Sequence, residues 1–303
     1  MGLPGITTHV FTDPVLRGSI LEAFRVEREG EKWVWKECGF DEMSSNKAFE
    51  EITEFAGMGL AARREELAQG TTDSIKQGFT TRVNIFSYAI NFPISREAQM
   101  RKEINKVVQG TKSVMESLRY TVEVVCADLL GNGFSTTTGI TLPDTKAIFA
   151  TDHTLPRGGT YSNKITAASV SEEGVEAMSI LAGRMVGGHG LPTKHTLKKI
   201  VIPVEQRFEA RRVLKSDKQN WTSNNAINAI KEDNIVPVEN EFLPSTSNWF
   251  GVTNAKQGAV LIWGEQPNVT EVGMDLNRAV VWSGNMMFGI GVPGPRRWIG
   301  SEF

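Results

Sequence analysis

The sequence predicts an α+β fold, in which helices and strands occupy separate stretches of the chain. One observation is a single long helix, predicted between Ser95 and Gly131. Another is a second half with short strands in succession, without the regular alternation of strand and helix that builds parallel sheets. A third is a polar stretch from Gly57 to Gly78 that precedes a strongly alternating segment. Together these features indicate a core with an extension that leaves it and returns.

Composition argues against several classes of protein. The 303 residues are 40% hydrophobic and 22% charged, as in a soluble globular protein of one large or two linked domains. The net charge is −2 with both signs mixed, so no basic surface is predicted to bind nucleic-acid phosphates. The lack of an apolar run of about 18 residues and of a basic leader argues against a membrane span and a secretion signal. Cys38 and Cys126 have no metal-ligand spacing, and Cys126 is predicted to be buried.

The first residues are predicted to form an arm. Glycine and proline interrupt residues 1–28, and only Val15 to Phe24 has the pattern of a short helix. Such a terminus is poorly placed to build its own core, so we expect it to be mobile or to lie against a neighbour. Next, Lys32 to Cys38 alternates with period two and predicts a strand, and Asn46 to Phe55 predicts a short helix.

The polar stretch that follows is interpreted as a long extension. Residues 57–78 are charged and have glycines at both ends, and loops of this length are usually functional or mobile. Phe79 to Ile94 then alternates as a strand, with a shift of one residue at Phe86. A charged loop that leads into a strand favours an extension from the body of the protein, and a disordered surface loop is the alternative.

The long helix has signals at both ends. Ser95 is a good N-cap, and Gly131-Asn132-Gly133 offers left-handed residues to end the helix. Its apolar stripe recurs at alternating steps of four and three residues, at Ile104, Val108, Thr111, Met115, Leu118, Val122, Val125 and Leu129. Arg119 and Glu123, four residues apart, are expected to pair on a solvated face. The helix is predicted to lie across a sheet, and a coiled-coil dimer is the alternative.

The second half is predicted to contain two helices and seven strands. Ser171 caps the first helix, which carries Glu172 and Glu173 in its first turn and ends near Gly187. The second helix runs from Val204 to Leu214. The strands are predicted at Leu197–Ile202, Ile235–Phe242, Asn248–Val252, Ala259–Trp263, Val269–Met274, Ala279–Ser283 and Met286–Val292.

No motif in the chain requires catalysis. Residues 289–294 match the dinucleotide fingerprint GxGxxG, but two prolines interrupt the place where a helix must begin, so we reject the match. His153, His189 and His195 lack the spacing of a metal or catalytic site and are predicted to be surface or loop histidines. We therefore predict no catalytic, cofactor-binding or metal-binding residue.

A series of phrases in the second half is specific in both order and spacing. The first is His153-Thr-Leu-Pro-Arg-Gly-Gly-Thr-Tyr-Ser-Asn163. Others are Gly190–Pro192, Ile200–Pro203, Ala210–Ser216, Asn224–Asn228, Ile235–Val238 and Trp249–Phe250. Together they resemble the major capsid (major head) proteins of tailed bacteriophages, closest to the Mu-like major head protein group, which often has proline where Thr154 stands. The resemblance begins at about residue 60 and continues to the end, whereas the first 55 or so residues match poorly.

The resemblance implies the tailed-phage major capsid fold. Its parts would be an N-terminal arm (1–28), the start of the peripheral domain (29–56), an extended loop (57–85), the peripheral domain with the long spine helix (86–135), an axial domain (136–265), and C-terminal strands that return to the peripheral domain (266–303).

The same resemblance implies a structural function rather than an enzymatic one. The subunit would assemble with itself into hexamers and pentamers of an icosahedral shell that encloses double-stranded DNA. Its partners would be a separate scaffold protein and a portal, with no membrane, and it would reach the virion capsid after assembly in the host cytoplasm. Contacts between subunits are assigned to the extended loop, at Arg63, Arg64, Glu65, Glu66 and Lys76. The sequence Arg64-Glu65-Glu66-Leu67 departs from the Arg-Glu-Trp usual in the group.

Three alternatives stay open. An encapsulin-like compartment would have the same fold but would load enzyme cargo in place of DNA. Another virion structural protein, such as a decoration or portal subunit, would differ in its copy number per particle. A soluble nucleotide-dependent enzyme would bind nucleotide tightly as a monomer.

Overall fold

A computed structural model shows the architecture of the chain and describes residues 14–30, 32–101, 103–166, 169–218, 227–275 and 278–302. Within these ranges helices and strands occupy separate stretches, which confirms the predicted α+β class. The first part of the predicted arm and most of the phrase Asn224–Asn228 lie outside the described residues. No described helix is both long enough and apolar enough to cross a membrane.

The first helix, α1 (Pro14–Gly30), is longer than predicted and packs on its own chain. Its buried side chains recur every four residues, at Leu16, Ile20 and Phe24. They join the main core against helix α4 (Ile104–Gly131), and Lys112 of that helix pairs with Glu27 at 2.5 Å. The expectation of a mobile arm, or of one lying against a neighbour, is therefore corrected for residues 14–28, because an apolar stripe of this spacing finds its partner within the chain.

The predicted strand at Lys32–Cys38 is wrong, because this segment contains the short helix α2 (Val34–Glu37). The carboxylate of Glu123, on α4, accepts the backbone N–H groups of Val34 and Trp35 at 2.8 and 3.0 Å. These bonds satisfy two of the free donors at the start of the helix. Glu123 is itself only 2% exposed, so its predicted place on a solvated face is also wrong.

The predicted helix at Asn46–Phe55 is wrong as well, because the segment contains strand β2 (Phe49–Ala56), which pairs with strand β3 (Lys76–Asn84). The single strand predicted after the polar stretch is divided at Ile85, where β3 ends and β4 (Phe86–Ile94) begins in a different sheet. Pairing between distant segments decides these elements, and the local pattern does not.

The long helix is confirmed in place but is interrupted near its start. Helix α3 (Arg96–Met100) is capped by Ser95, whose Oγ accepts the N–H of Ala98 at 3.3 Å. Glu103 then has a non-helical backbone, with ψ at 62°, before α4 begins. With 28 residues α4 is about 42 Å long, which is long for a helix of a compact domain.

The predicted stripe of α4 faces the core. Its buried members are Thr111, Met115, Leu118, Val122 and Leu129. The left-handed ending is wrong, because Asn132 has φ −87° and neither flanking glycine has a positive φ. Gly133 instead allows close packing, since a Cβ there would approach the ring of Phe149 to 2.7 Å.

Helix α4 packs on a sheet formed by β1 (Asp41–Ser44), β11 (Val260–Met274), β12 (Val280–Gly291) and β4. The order is β1-β11-β12-β4, with β1 parallel to β11 and the other pairs antiparallel. The four short strands predicted between residues 259 and 292 are thus two long ones, whose pairing is interrupted by bulges and not by turns. Gly284 lets the helix come close, since a Cβ there would lie 2.5 Å from Val114.

A second sheet has the order β7-β13-β10-β8-β9. Its strands are β7 (Lys164–Thr166), β8 (Leu197–Ile202), β9 (Val236–Glu239), β10 (Trp249–Thr253) and β13 (Trp298–Glu302). Helices α5 (Glu172–Arg184) and α6 (Arg207–Lys215) cover it, and Ser171 caps α5 as predicted. The segment 266–303 is divided, with β12 in the first sheet and β13 in the second.

Two large hydrophobic clusters fill the interior. The first lies between α1, α4 and the first sheet and reaches β10 and β13, and the second lies under α5 and α6. Cys38 and Cys126 are buried in the first cluster and are free, which confirms the predicted burial of Cys126. The domain boundaries given above stay a prediction.

Candidate functional site

The most distinctive part of the molecule is the extended hairpin, which we define as strands β2 and β3 with the intervening loop of residues 57–75. The strands pair antiparallel from Phe49 opposite Asn84 to Ala56 opposite Lys76, and they form a two-stranded sheet of their own. The loop contains neither helix nor strand, and all of its residues are exposed. The polar stretch is therefore an exposed connection between two paired strands, and its role as the extended loop stays a prediction.

The structure places four of the five predicted contact residues in this loop and one at its base. Arg63, Arg64, Glu65 and Glu66 are consecutive and exposed, and they form no ion pair within the described part of the chain. Lys76 is the first residue of β3, where the loop rejoins the hairpin. Their role in subunit contacts stays a prediction.

Apolar side chains of the loop form a second set of exposed groups, which the sequence reasoning missed because it concentrated on charge. They are Met58, Leu60, Leu67 and Ile75, with Phe55 at the end of β2. Leu60 is 81% exposed and Leu67 is fully exposed. Leu67 also has a left-handed backbone, with φ at 64°, beside a turn in which the N–H of Ala68 donates to the carbonyl of Glu65. The signal available in the sequence was the presence of large apolar residues within a polar stretch.

Arg157 fixes the two ends of the loop to the body. It lies in the turn between the short strands β5 (His153–Thr154) and β6 (Thr160–Tyr161). Its Nη2 donates to Asp73 Oδ1 at 3.0 Å and to the Ser74 carbonyl at 2.6 Å, while Asp73 Oδ2 accepts the N–H of Gly59 at 2.8 Å. The bond from Gly59, followed by that from Arg157, lowers the pKa of Asp73 to about 2.

Arg296 holds the hairpin at a second point, on strand β2. Its Nη1 donates to Glu54 Oε1, on β2, at 2.6 Å, and its Nε donates to the carbonyl of Val186 at 3.0 Å. The guanidinium also lies over the ring of Tyr161, 4.5 Å from the centroid. The side chains of Arg296 and Glu54 are only 11% and 12% exposed, so solvent screens this ion pair less than a surface pair.

The phrase from His153 to Asn163 forms the β5–β6 hairpin that carries Arg157. Gly158 and Gly159 have φ values of 92° and 94°, which a side chain would strain. The Nδ2 of Asn163 donates to the carbonyls of Ile148 and Pro295 at 2.8 and 3.2 Å. The phrase thus joins its own hairpin to the segment that contains Arg296.

His153 is completely buried, so its prediction as a surface or loop histidine is wrong. Its Nδ1 lies 2.8 Å from Asp144 Oδ2, and its Nε2 lies 3.1 Å from Asn163 Oδ1. Burial raises the pKa of Asp144, but the hydrogen bond and charge of His153 act in the opposite direction and the net pKa lies below its usual value. Asp144 and Asn163 are nine and ten residues from His153 in sequence, and motif spacings for metal or catalytic histidines do not include such partners.

The glycines of the fingerprint match have a structural role. Gly289 and Gly291 lie inside β12, where a Cβ would come within 2.1 Å of the Asn84 carbonyl and 2.2 Å of Val83, so these glycines allow β12 to pass close to β3. His189 lies in a turn, as predicted. Among the described residues, no cluster of three or more histidine, cysteine, aspartate or glutamate side chains could hold a metal ion.

Solved structures with a similar fold are capsids and a virus-like particle. The capsid of cyanophage Pam1 matches with a TM-score of 0.56 and 12% identity, over 87% of each chain. The capsid of cyanophage P-SCSP1u matches with a TM-score of 0.55 and 15% identity, over 86% of this chain and 85% of the capsid chain. A virus-like particle from Pyrococcus furiosus matches with a TM-score of 0.51 and 9% identity, over 95% of this chain and 98% of the particle's chain. The predicted tailed-phage capsid fold is thereby confirmed.

Sequence comparison agrees with the fold. Comparison with curated protein sequences found no match. A family model described as phage capsid protein matches residues 78–300, from within β3 to the last strand, β13. Because this match covers well over half of the chain, the protein belongs to the phage capsid protein family.

Proposed function

We propose that this capsid protein assembles with itself into hexamers and pentamers that close an icosahedral shell around double-stranded DNA. The observation that carries the proposal, beyond family membership, is the extended hairpin. Its strands form a sheet of their own, and all residues of its loop are exposed and lie outside the two hydrophobic clusters. A surface segment that binds a different surface of the next copy makes a heterologous contact, and such contacts close into rings.

The composition of the loop fits such a contact. Burying a leucine side chain that was exposed contributes about 1.5–3 kcal/mol, whereas an exposed ion pair contributes only about 0–1 kcal/mol. We therefore assign most of the binding energy to exposed apolar side chains such as Leu60 and Leu67. The charges of Arg63, Arg64, Glu65, Glu66 and Lys76 would mainly set the register between subunits.

The remaining partners follow from the resemblance described above. We infer a separate scaffold protein and a portal, assembly in the host cytoplasm, and a structural rather than catalytic role. A net charge of −2 suits a shell that encloses DNA without binding a specific sequence. The closer similarity to the Mu-like major head protein group is part of the same proposal.

The test is negative-stain electron microscopy of the purified full chain, with sedimentation alongside. Closed shells, tubes, or rings of five and six subunits are expected. The nucleic-acid content of shells recovered from infected or expressing cells then separates a DNA container from a compartment that holds protein cargo. A chain that stays monomeric and binds nucleotide tightly would contradict the shell.

A further inference from the structure

Arg157 and Arg296 contact the extended hairpin from outside it, at two separate places. Arg157 binds Asp73 and Ser74 at one end of the loop, and Asp73 in turn accepts the N–H of Gly59 at the other end; Arg296 binds Glu54 on β2. Near its base the hairpin packs on the first sheet, where Val83 and Ile52 cluster with Val260 and Ile262. The two arginines add polar contacts closer to the loop, and together these contacts define a direction.

Each arginine is itself held by the body. Arg157 sits on the β5–β6 turn, whose base is fixed by the buried His153 and Asn163. The carbonyl of Arg296 accepts the Oγ1–H of Thr253 at 2.9 Å, and its side chain donates to Val186. The two supports are joined, because Asn163 also donates to the carbonyl of Pro295. Both supports are therefore connected to each other within the body.

We propose that Arg157 and Arg296 are positioning residues that fix the direction of the extended hairpin in the free subunit. The hairpin is then presented to a neighbouring subunit in its binding direction, which removes much of the ordering entropy that assembly would otherwise cost. The fixed direction of the hairpin is a property of the single chain. Its presentation to a neighbour rests on the proposed function, because it requires a second subunit that receives the loop.

The chain offers a matched control for Arg296 in the next residue. Arg297 is similarly buried, pairs with Asp41 at 2.8 Å, and donates to the carbonyls of Ala255 and Lys256, all of which lie outside the hairpin. Replacing either arginine by glutamine removes an ion pair and several hydrogen bonds. Only the Arg296 variant removes a contact to the hairpin.

The test measures the distance between spin labels on Leu67→Cys in the loop and Ile180→Cys on α5, by pulsed electron paramagnetic resonance on subunits that sediment as monomers. Both positions are exposed. The native Cys38 and Cys126 are buried, and burial raises the pKa of the Cys38 thiol to about 12, so neither reacts readily with the label. The otherwise native chain should give one narrow distance distribution.

The double variant Arg157→Gln/Arg296→Gln is expected to lose the narrow distribution, and each single variant to broaden it partly. Arg297→Gln should keep it even if its melting temperature falls, which separates positioning from general destabilisation. Arg157→Lys, which can still pair with Asp73, should restore part of the narrow component.

An unchanged distribution in the double variant would overturn the inference and leave the shell proposal intact. A broadened distribution with an unchanged rate of shell assembly would overturn the presentation to a neighbour.

Discussion

The body and the extended hairpin of this capsid protein are held in place by different interactions. In the body, large side chains such as Trp282 and Trp298 are almost completely buried between helices and sheets. In the hairpin, Leu60 and Leu67 are exposed, and Arg157 and Arg296 hold the ends of the loop and β2 through hydrogen bonds and ion pairs. Packing therefore specifies the body and the base of the hairpin, where Val83 and Ile52 cluster with residues of β11, whereas polar contacts hold the part of the hairpin nearer the loop.

This difference separates the stability of the subunit from its assembly. Large apolar side chains in a water-exposed loop contribute little to folding, and clustered ones mark sites of interaction. Changes in the body should therefore lower the free energy of unfolding, whereas changes in the loop should alter contacts between subunits. Each prediction below tests this separation.

The largest effect is expected at Trp298. Its side chain is fully buried, its Nε1 donates to the carbonyl of Cys38 at 2.8 Å, and its ring lies 4.9 Å from that of Phe40. Trp298→Ala should lower the free energy of unfolding by about 3–5 kcal/mol, since it leaves a cavity and an unsatisfied carbonyl. Leu67→Ala is the control and should change it by less than about 0.5 kcal/mol. Chemical denaturation measures both, and similar losses for the two variants would contradict the comparison.

The sequence predicted well those parts of the fold that depend on local pattern. The stripe from Thr111 to Leu129 identified the long helix, and Ser95 and Ser171 were correct as caps. These succeed because helix periodicity and capping involve residues within four positions of each other. The extended loop was found for a similar reason, as a long stretch without an apolar period.

A smaller effect, which depends on pH, is expected at Glu123, where a polar contact acts inside the body. Burial raises the pKa of Glu123 to about 7 from an ordinary value of 4.5. The unfolded chain releases this proton near pH 4.5 and the folded chain only near pH 7. The contribution of Glu123 to stability therefore falls as pH rises through this window and is constant above it.

Glu123→Gln removes the titrating group and should flatten this part of the dependence of unfolding free energy on pH. Denaturation of both proteins at several values between pH 4.5 and 8 measures the slope. Exposed Glu176→Gln on α5 is the control and should leave the slope as in the native chain. Equal slopes for the native chain and Glu123→Gln would show that the carboxylate does not titrate in this window.

What the sequence could not provide are contacts between distant segments. Glu123 caps α2 from almost 90 residues away, and Arg296 reaches Glu54 across more than 240. No periodicity or spacing rule connects such residues, so α2 was predicted as a strand and His153 as a surface residue. The same holds for the candidate site, where the loop and its charges were predicted but its exposed leucines and the two arginines that hold it were not.

The smallest effect on stability, and the sharpest test of the comparison, is expected from the loop charges. Arg64→Glu reverses an exposed charge that has no ion-pair partner within the described part of the chain, so the free energy of unfolding should change by less than about 0.5 kcal/mol. If the loop binds a neighbour, the same change should slow shell assembly, and the difference from the native chain should shrink as salt is added, because exposed charges are screened. Lys198→Glu, an equal change at an exposed site of β8, is the control for net charge. Light scattering follows assembly, and an equal slowing by both variants would mean that total charge, rather than the position of the charge in the loop, controls how subunits meet.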